Sequence, residues 1–146
     1  MATCLVHMRV KEGQAAAFEA IARSLHDASV GKEKGLLRYE YWRGQTPNSY
    51  YCLESFDDYA GFLAHEIAPY HEAAAEPVMA LIEDFKLEWI DPVPGAAPFD
   101  STREQALAAD AGERARFYAE MFPLSLATWW TQLAGQRASV AIGVEQ

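Results

Sequence analysis

Apolar residues alternate with polar ones over residues 3–10: Val6, Met8 and Val10 fall on one side, and Leu5, His7 and Arg9 on the other. That is the period of a β-strand. After the turn-like stretch 11–14 the period lengthens, and Phe18, Ile21, Ala22, Leu25 and Ala28 form a helical stripe stopped by Gly31 and Gly35. Residues 36–43 and 50–56 return to strand patterns around the turn residues 45–49, which predicts a hairpin. Asp57 or Asp58 caps a second helix carrying Tyr59, Phe62, Leu63 and Ile67. Pro69 interrupts this helix, because an interior proline removes a hydrogen bond and clashes with the preceding turn. The apolar spacing resumes through Val78, Leu81 and Ile82, and residues 85–90 form the last strand before Asp91-Pro92. The order is β-α-β-β-α-β, an α+β domain over residues 1–93 with an antiparallel sheet.

Alternation assigns two faces to that sheet. One carries Val6, Met8, Val10, Leu37, Tyr39, Tyr41, Tyr51, Leu53, Phe85, Leu87 and Trp89, the natural seat of both helices. The other mixes charge with large apolar groups: Leu5, His7, Arg9, Leu36, Arg38, Glu40, Trp42, Tyr50, Cys52, Glu54, Phe56, Lys86, Glu88 and Ile90. Exposed apolar area on that scale marks an interface or a ligand site, and a second copy of the sheet is the simplest cover.

Pro92, Pro94, Gly95 and Pro98 form a linker into an extension, residues 94–146. Ser101-Thr102-Arg103-Glu104 has the pattern of a capping box and predicts a helix through Leu107, Ala111, Phe117, Tyr118 and Met121. Pro123 opens a second helix holding Trp129, Trp130 and Leu133 and ending at Gly135. Two such helices are too short to form a core alone, so they are expected to pack on the first domain or on a partner subunit.

The net charge of −9 argues against nucleic-acid binding and against docking on anionic lipid. Two cysteines, Cys4 and Cys52, are too few for a disulfide framework or a structural zinc site and read as buried free thiols. With no leader-like segment and no apolar run near the ~20 residues of a membrane span, a cytoplasmic protein is expected.

Residues 3–93 resemble the antibiotic biosynthesis monooxygenase superfamily, among the dimeric α+β barrels with a ferredoxin-like fold. The resemblance rests on Glu12-Gly13 between the first strand and helix, on Gly35-Leu36-Leu37-Arg38-Tyr39-Glu40, and on Tyr50-Tyr51-Cys52-Leu53-Glu54-Ser55-Phe56 followed by Asp57-Asp58-Tyr59, His65 and His71. The family pattern of a glutamate, a tryptophan two residues on and a histidine within the next helix falls on Glu54, Phe56 and His65, with phenylalanine in place of tryptophan. Pro69 and the extension lie outside the usual pattern. The resemblance implies a homodimer with a pocket between sheet and helices. Several relatives oxidise quinols or polycyclic phenols with molecular oxygen and use no metal, flavin or haem; others degrade haem or isomerise small phosphorylated sugars. Haem-degrading relatives use a tryptophan and an axial histidine where this chain has His65 and Ala75.

The expected function is thus a cofactor-independent monooxygenase for a quinol-like or polycyclic phenolic substrate. Such chemistry needs a base for the phenol, a dry slot and access for oxygen, and histidine titrates near neutrality. His65 is assigned as the base with His7 as helper, while Arg38, Glu54 and His71 position the substrate and Trp42 and Phe56 bound the slot. The same residues have structural readings: Glu54 with Arg38 and Glu40 as a cross-strand ion pair, Trp42 and Phe56 as filling of a dimer seam, His65 as a helix-edge hydrogen-bonder. His26 reads as a surface residue. No metal is expected, because His65 and His71 lie six residues apart rather than the four that put two ligands on one helix face. A non-catalytic binding or stress-response dimer, and an isomerase of a small metabolite, are the other functions this pattern allows.

Overall fold

A computed structural model describes residues 1–133. Four strands, β1 (Ala2–Val10), β2 (Leu36–Arg43), β3 (Ser49–Phe56) and β4 (Ile82–Trp89), form one antiparallel sheet in the order β2-β3-β1-β4. The helices α1 (Ala15–Ser29), α2 (Tyr59–Glu66) and α3 (Pro69–Leu81) belong to the crossovers, and α4 (Glu113–Met121) to the extension. This is the α+β, ferredoxin-like arrangement, and the sheet is open. Among the described residues no helix is long and apolar enough to cross a membrane.

Local chemistry explains the element ends. Asp58 caps α2 by accepting a hydrogen bond from the Gly61 amide at 2.7 Å. Pro69 ends α2 and opens α3 at its first turn, where its missing N–H costs nothing. Gly35 is required by a close approach: a Cβ there would lie 2.8 Å from Asp57 Oδ1 and 3.2 Å from the Gly61 Cα.

The register corrects the face assignment of β3. Cys4 pairs with Glu54, Val6 with Cys52 and Met8 with Tyr50, so Tyr50, Cys52, Glu54 and Phe56 share the helix-covered face. Tyr51 and Leu53 lie opposite His7 and Leu5 on the other. In β2, Leu36 pairs with Phe56 but Arg38 with Ser55, so Leu37 is the extra residue of a bulge. Leu36 therefore turns inward and Leu37 is half exposed at 50%. A one-residue shift moves every side chain of a strand to the other face.

The inner face holds two apolar clusters. Val6, Met8, Val10, Tyr39, Tyr50 and Cys52 meet Phe18, Ala22 and Leu25 of α1. Ala2, Cys4, Phe56 and Trp89 meet Tyr59, Phe62 and Leu63 of α2, together with Tyr118 of α4. Glu54 lies between them on β3. Helix α3 buries none of its residues fully, so it stands off from the sheet.

The extension departs from the expected pair of helices. Residues 101–108 are not helical, because Thr102 is spent elsewhere: its hydroxyl donates to the Ile90 carbonyl at 2.6 Å and accepts from the Thr3 amide at 3.3 Å, and its own amide donates to Asp91 at 2.9 Å. Gln105 accepts from the Tyr59 amide at 2.8 Å. Residues 123–127 are likewise non-helical. Tyr59 Oη donates to the Phe122 carbonyl and Trp89 Nε1 to the Pro123 carbonyl, both at 2.9 Å, and helix begins again only at Thr128. The expected end at Gly135 lies outside the described residues.

Thr102→Val keeps the shape of this 3%-exposed side chain and removes both of its hydroxyl bonds. It is expected to cost about 1–2 kcal/mol in urea unfolding and to speed proteolytic cleavage within residues 95–112. Unchanged cleavage would mean that the strap is held by other contacts.

Candidate active site

A polar cluster fills the seam between the two apolar clusters. His65, on the last turn of α2, is fully buried, with Tyr39 at 4.9 Å, Phe56 at 5.5 Å and His71 at 4.5 Å between ring centroids. Its Nδ1–H donates to Glu33, 2.9 Å away, from the loop between α1 and β2. Tyr70 Oη donates to the same carboxylate. Glu66 follows on α2, and its Oε2 lies 3.7 Å from His71 Nδ1. Glu54 accepts from the thiols of Cys52 at 3.3 Å and Cys4 at 3.7 Å. Tyr39 and Tyr41 share a hydrogen bond of 2.7 Å beside it.

The break at Pro69 creates this cluster. On one continuous helix His65 and His71 would point apart. Ending α2 and restarting at Pro69, after Ala68 in an extended conformation, changes the course of the chain, so that His71, in the first turn of α3, meets His65. The potential ligand atoms of His65, Glu66 and His71 fall within 4.8 Å of one another, despite the six-residue spacing.

Electrostatics separates the roles. Burial would lower the pKa of His65, but its bond to Glu33 and the charge of Glu54 raise it above the ordinary histidine value. Burial also opposes ionisation of Glu33, yet its bonds from His65 and Tyr70 hold it below the usual carboxylate range. The two form a buried ion pair. Burial pushes Glu66 up to about 8, with Glu54 adding to it, and also raises Glu54. Burial, then the positive His65, lowers His71 to about 4, so that ring is neutral at physiological pH. Burial raises both thiols, with the Glu54 charge adding to it, so neither is a ready nucleophile.

The cluster opens on a cavity of about 540 Å³ beneath α3, within the size range of small-molecule sites. The sheet contributes Val6, Met8, Phe85 and Leu87, and α3 contributes Ala74, Ala75, Val78 and Met79. The third wall is the extension: Arg114, Phe117, Tyr118, Met121 and Phe122. Arg114 is held by Glu72, 2.7 Å away, and lies over the rings of Phe117 and Tyr118 at 4.6 and 5.3 Å. Glu54, Glu66 and His71 reach the cavity lining, whereas His65 stands behind it.

The seven residues singled out in the sequence divide across the sheet. Glu54, Phe56, His65 and His71 come together on the inner face. His7, Arg38 and Trp42 lie on the outer face, so His7 cannot assist His65 directly. His7 bonds Glu88 at 3.0 Å and packs edge-on against Tyr51. Arg38 pairs with Glu40 along its own strand, and not with Glu54. Trp42 is 55% exposed. Phe56, at the position of the usual tryptophan, is fully buried against Phe62 and His65 and does not line the cavity. His26 is partly exposed beside Asp27. Sequence patterns did not single out Glu33, Glu66, Tyr39 or the extension wall as parts of the site. The run His65-Glu66…Pro69-Tyr70-His71 carried the signal for Glu66, once the proline is read as a restart.

The family model described as antibiotic biosynthesis monooxygenase matches residues 1–77. No curated protein matches the chain. Solved structures agree on the fold. One from Caulobacter crescentus, provisionally named an antibiotic biosynthesis monooxygenase, is 23% identical with a TM-score of 0.60, over 63% of this chain and 89% of that one. A similarly named protein of Nitrosomonas europaea is 19% identical with a TM-score of 0.60, over 64% and 99%. A protein of Shewanella oneidensis is 26% identical with a TM-score of 0.57, over 61% and 87%.

Proposed function

Because this chain belongs to the antibiotic biosynthesis monooxygenase family, we propose that its cavity oxidises a flat phenolic or quinol-type substrate with molecular oxygen, the substrate's own anion supplying the electrons. The observation that supports this reading most is the cavity's composition: aromatic and aliphatic walls with a buried acid–base cluster at one side. Phenol hydroxyls would meet His71 and Glu66, the rings would lie among Phe85, Phe117 and Tyr118, and the surrounding apolar surface would admit oxygen and exclude water.

For a phenol bearing a ring methylene the electron count closes without another reductant. His71 takes the phenolic proton, and the anion passes one electron to oxygen. The radical pair joins through a new C–O bond. Loss of water leaves a carbonyl, so the methylene gives up four electrons, one oxygen atom enters the product and the other leaves as water. His65 does not touch the substrate; with Glu33 it fixes the position of His71. A second copy of the chain against Leu5, Trp42, Tyr51 and Leu53 on the outer face completes the proposal.

The test is oxygen uptake by the full chain with a panel of hydroquinones and anthrone-type phenols. Uptake is expected to depend on enzyme concentration and to fall about 100-fold in His71→Ala, the size typical of a lost general base. Ligand binding without uptake across the panel would overturn the oxidation and leave a binding protein; turnover without oxygen would indicate an isomerase.

A further inference from the structure

We propose that His65 Nε2, His71 Nδ1 and the Glu66 carboxylate form a site for one first-row divalent transition-metal ion, opening on the cavity.

Neither His65 Nε2 nor His71 Nδ1, both buried, makes a hydrogen bond to any of the described residues. Two unpartnered nitrogens on rings whose centroids are 4.5 Å apart are costly in a folded interior, and a metal would use both at once. The third donor is close, with Glu66 Oε2 3.7 Å from His71 Nδ1. Bonds of about 2.0–2.2 Å place neighbouring ligand atoms about 3–4 Å apart. One ligand atom from each of the three residues already lies within 4.8 Å of the other two, and His71, on the first turn of α3 with a fifth of its side chain exposed, is placed to close the remainder.

The surroundings match those of a ligated histidine. Glu33 holds His65 Nδ1–H at 2.9 Å, the carboxylate–histidine arrangement that fixes the ring and leaves Nε2 for the metal. Glu33, Glu54 and Glu66 bring three carboxyl groups to the same seam, the first on His65, the second on the two thiols and the third beside His71. Binding would release the proton from Nε2. Two imidazoles and one carboxylate suit zinc, iron or cobalt, whereas magnesium and calcium prefer all-oxygen sets. Both cysteine thiols are turned to Glu54 and add no sulfur. The remaining coordination positions would face the cavity.

His71 is also the base in the proposed oxidation, so bound metal would suppress that activity. This consequence rests on the functional proposal, whereas the metal site does not.

The experiment is an optical titration of the chelator-stripped full chain with Co²⁺, followed by competition with Zn²⁺. Visible ligand-field bands should saturate at one equivalent, be displaced by Zn²⁺ and be unaffected by Mg²⁺ or Ca²⁺. His71→Ala and Glu66→Gln should each weaken binding at least ~10-fold, Glu33→Gln should weaken it about 10-fold at the same stoichiometry, and His26→Ala should change nothing. Absence of visible bands, displacement by Ca²⁺, or an unchanged titration in both His71→Ala and Glu66→Gln would overturn the site. If His71→Ala loses its far-ultraviolet circular dichroism, Glu66→Gln decides alone. Oxygen uptake is measured separately, so failure of the metal site and failure of the oxidation are distinguishable.

Discussion

Phe62→Ala is expected to lower unfolding free energy by about 3–5 kcal/mol, at the upper end of what truncating one core side chain costs. The Phe62 side chain has no solvent exposure. It stacks on Tyr59 at 5.9 Å and meets Phe56, Trp89 and Phe122 edge-on at 5.6, 5.0 and 6.2 Å. Those neighbours come from α2, β3, β4 and the extension, four segments that cannot collapse together into the hole. Truncation also loosens Tyr59 and Trp89, whose polar atoms hold the carbonyls of residues 122 and 123. The extension is thus expected to detach before the sheet melts, seen as a change in tryptophan emission at lower urea than the loss of circular dichroism. A single coincident transition within about 1 kcal/mol of the parent would show that the ring carries neither role.

His65→Leu is expected to cost about 2–4 kcal/mol, because it strands the Glu33 carboxylate. That side chain is only 15% exposed, and Tyr70 remains hydrogen-bonded to it. The cost should depend on pH in a defined direction. Glu33 is lowered from 4.5, so its contribution is complete above that value and fades as pH falls through the folded value. His65 is raised from 6.5, so its contribution is complete below that value and fades as pH rises through the folded value. In chelator-treated protein the deficit is therefore largest between pH 4.5 and 6.5 and shrinks on both sides. In a double-mutant cycle, adding Glu33→Gln to His65→Leu should cost less than in the parent chain, since the stranded charge is then gone. A deficit independent of pH, with additive single effects, would show that packing alone is lost.

Periodicity read the elements well because most of them obey it. The Phe18–Ala28 stripe of α1, the hairpin around Pro47 and the stop at Pro69 were all legible. Strand β3 was not. Its residues 50–56 alternate two sets of large side chains, so alternation alone does not say which set faces the helices. Glu54 is buried on the helix-covered face with partners of its own, and a polar residue on an apolar face is how a functional seam violates the local rule. The bulge at Leu37 hid the same fact in β2. The site is legible in part: the sequence singles out His65, His71 and Glu54, but the meeting of the two histidines depends on a helix break at Pro69 that spacing along one helix does not express. The extension misled for a different reason. Ser101-Thr102-Arg103-Glu104 has the residues of a helix start, but Thr102 bonds strand ends that only the tertiary fold brings near.

The third wall of the cavity lies beyond residues 1–77, which the family model matches. Arg114, Phe117, Tyr118 and Met121 sit on a stretch fastened at one end by Thr102 and at the other through the main-chain carbonyls of residues 122 and 123, with Tyr118 packed in the core and Arg114 held by Glu72 between them. A protein engineer could graft a different segment 113–121 between the Thr102 anchor and those carbonyls, recasting what the cavity admits while its acid–base cluster stays untouched.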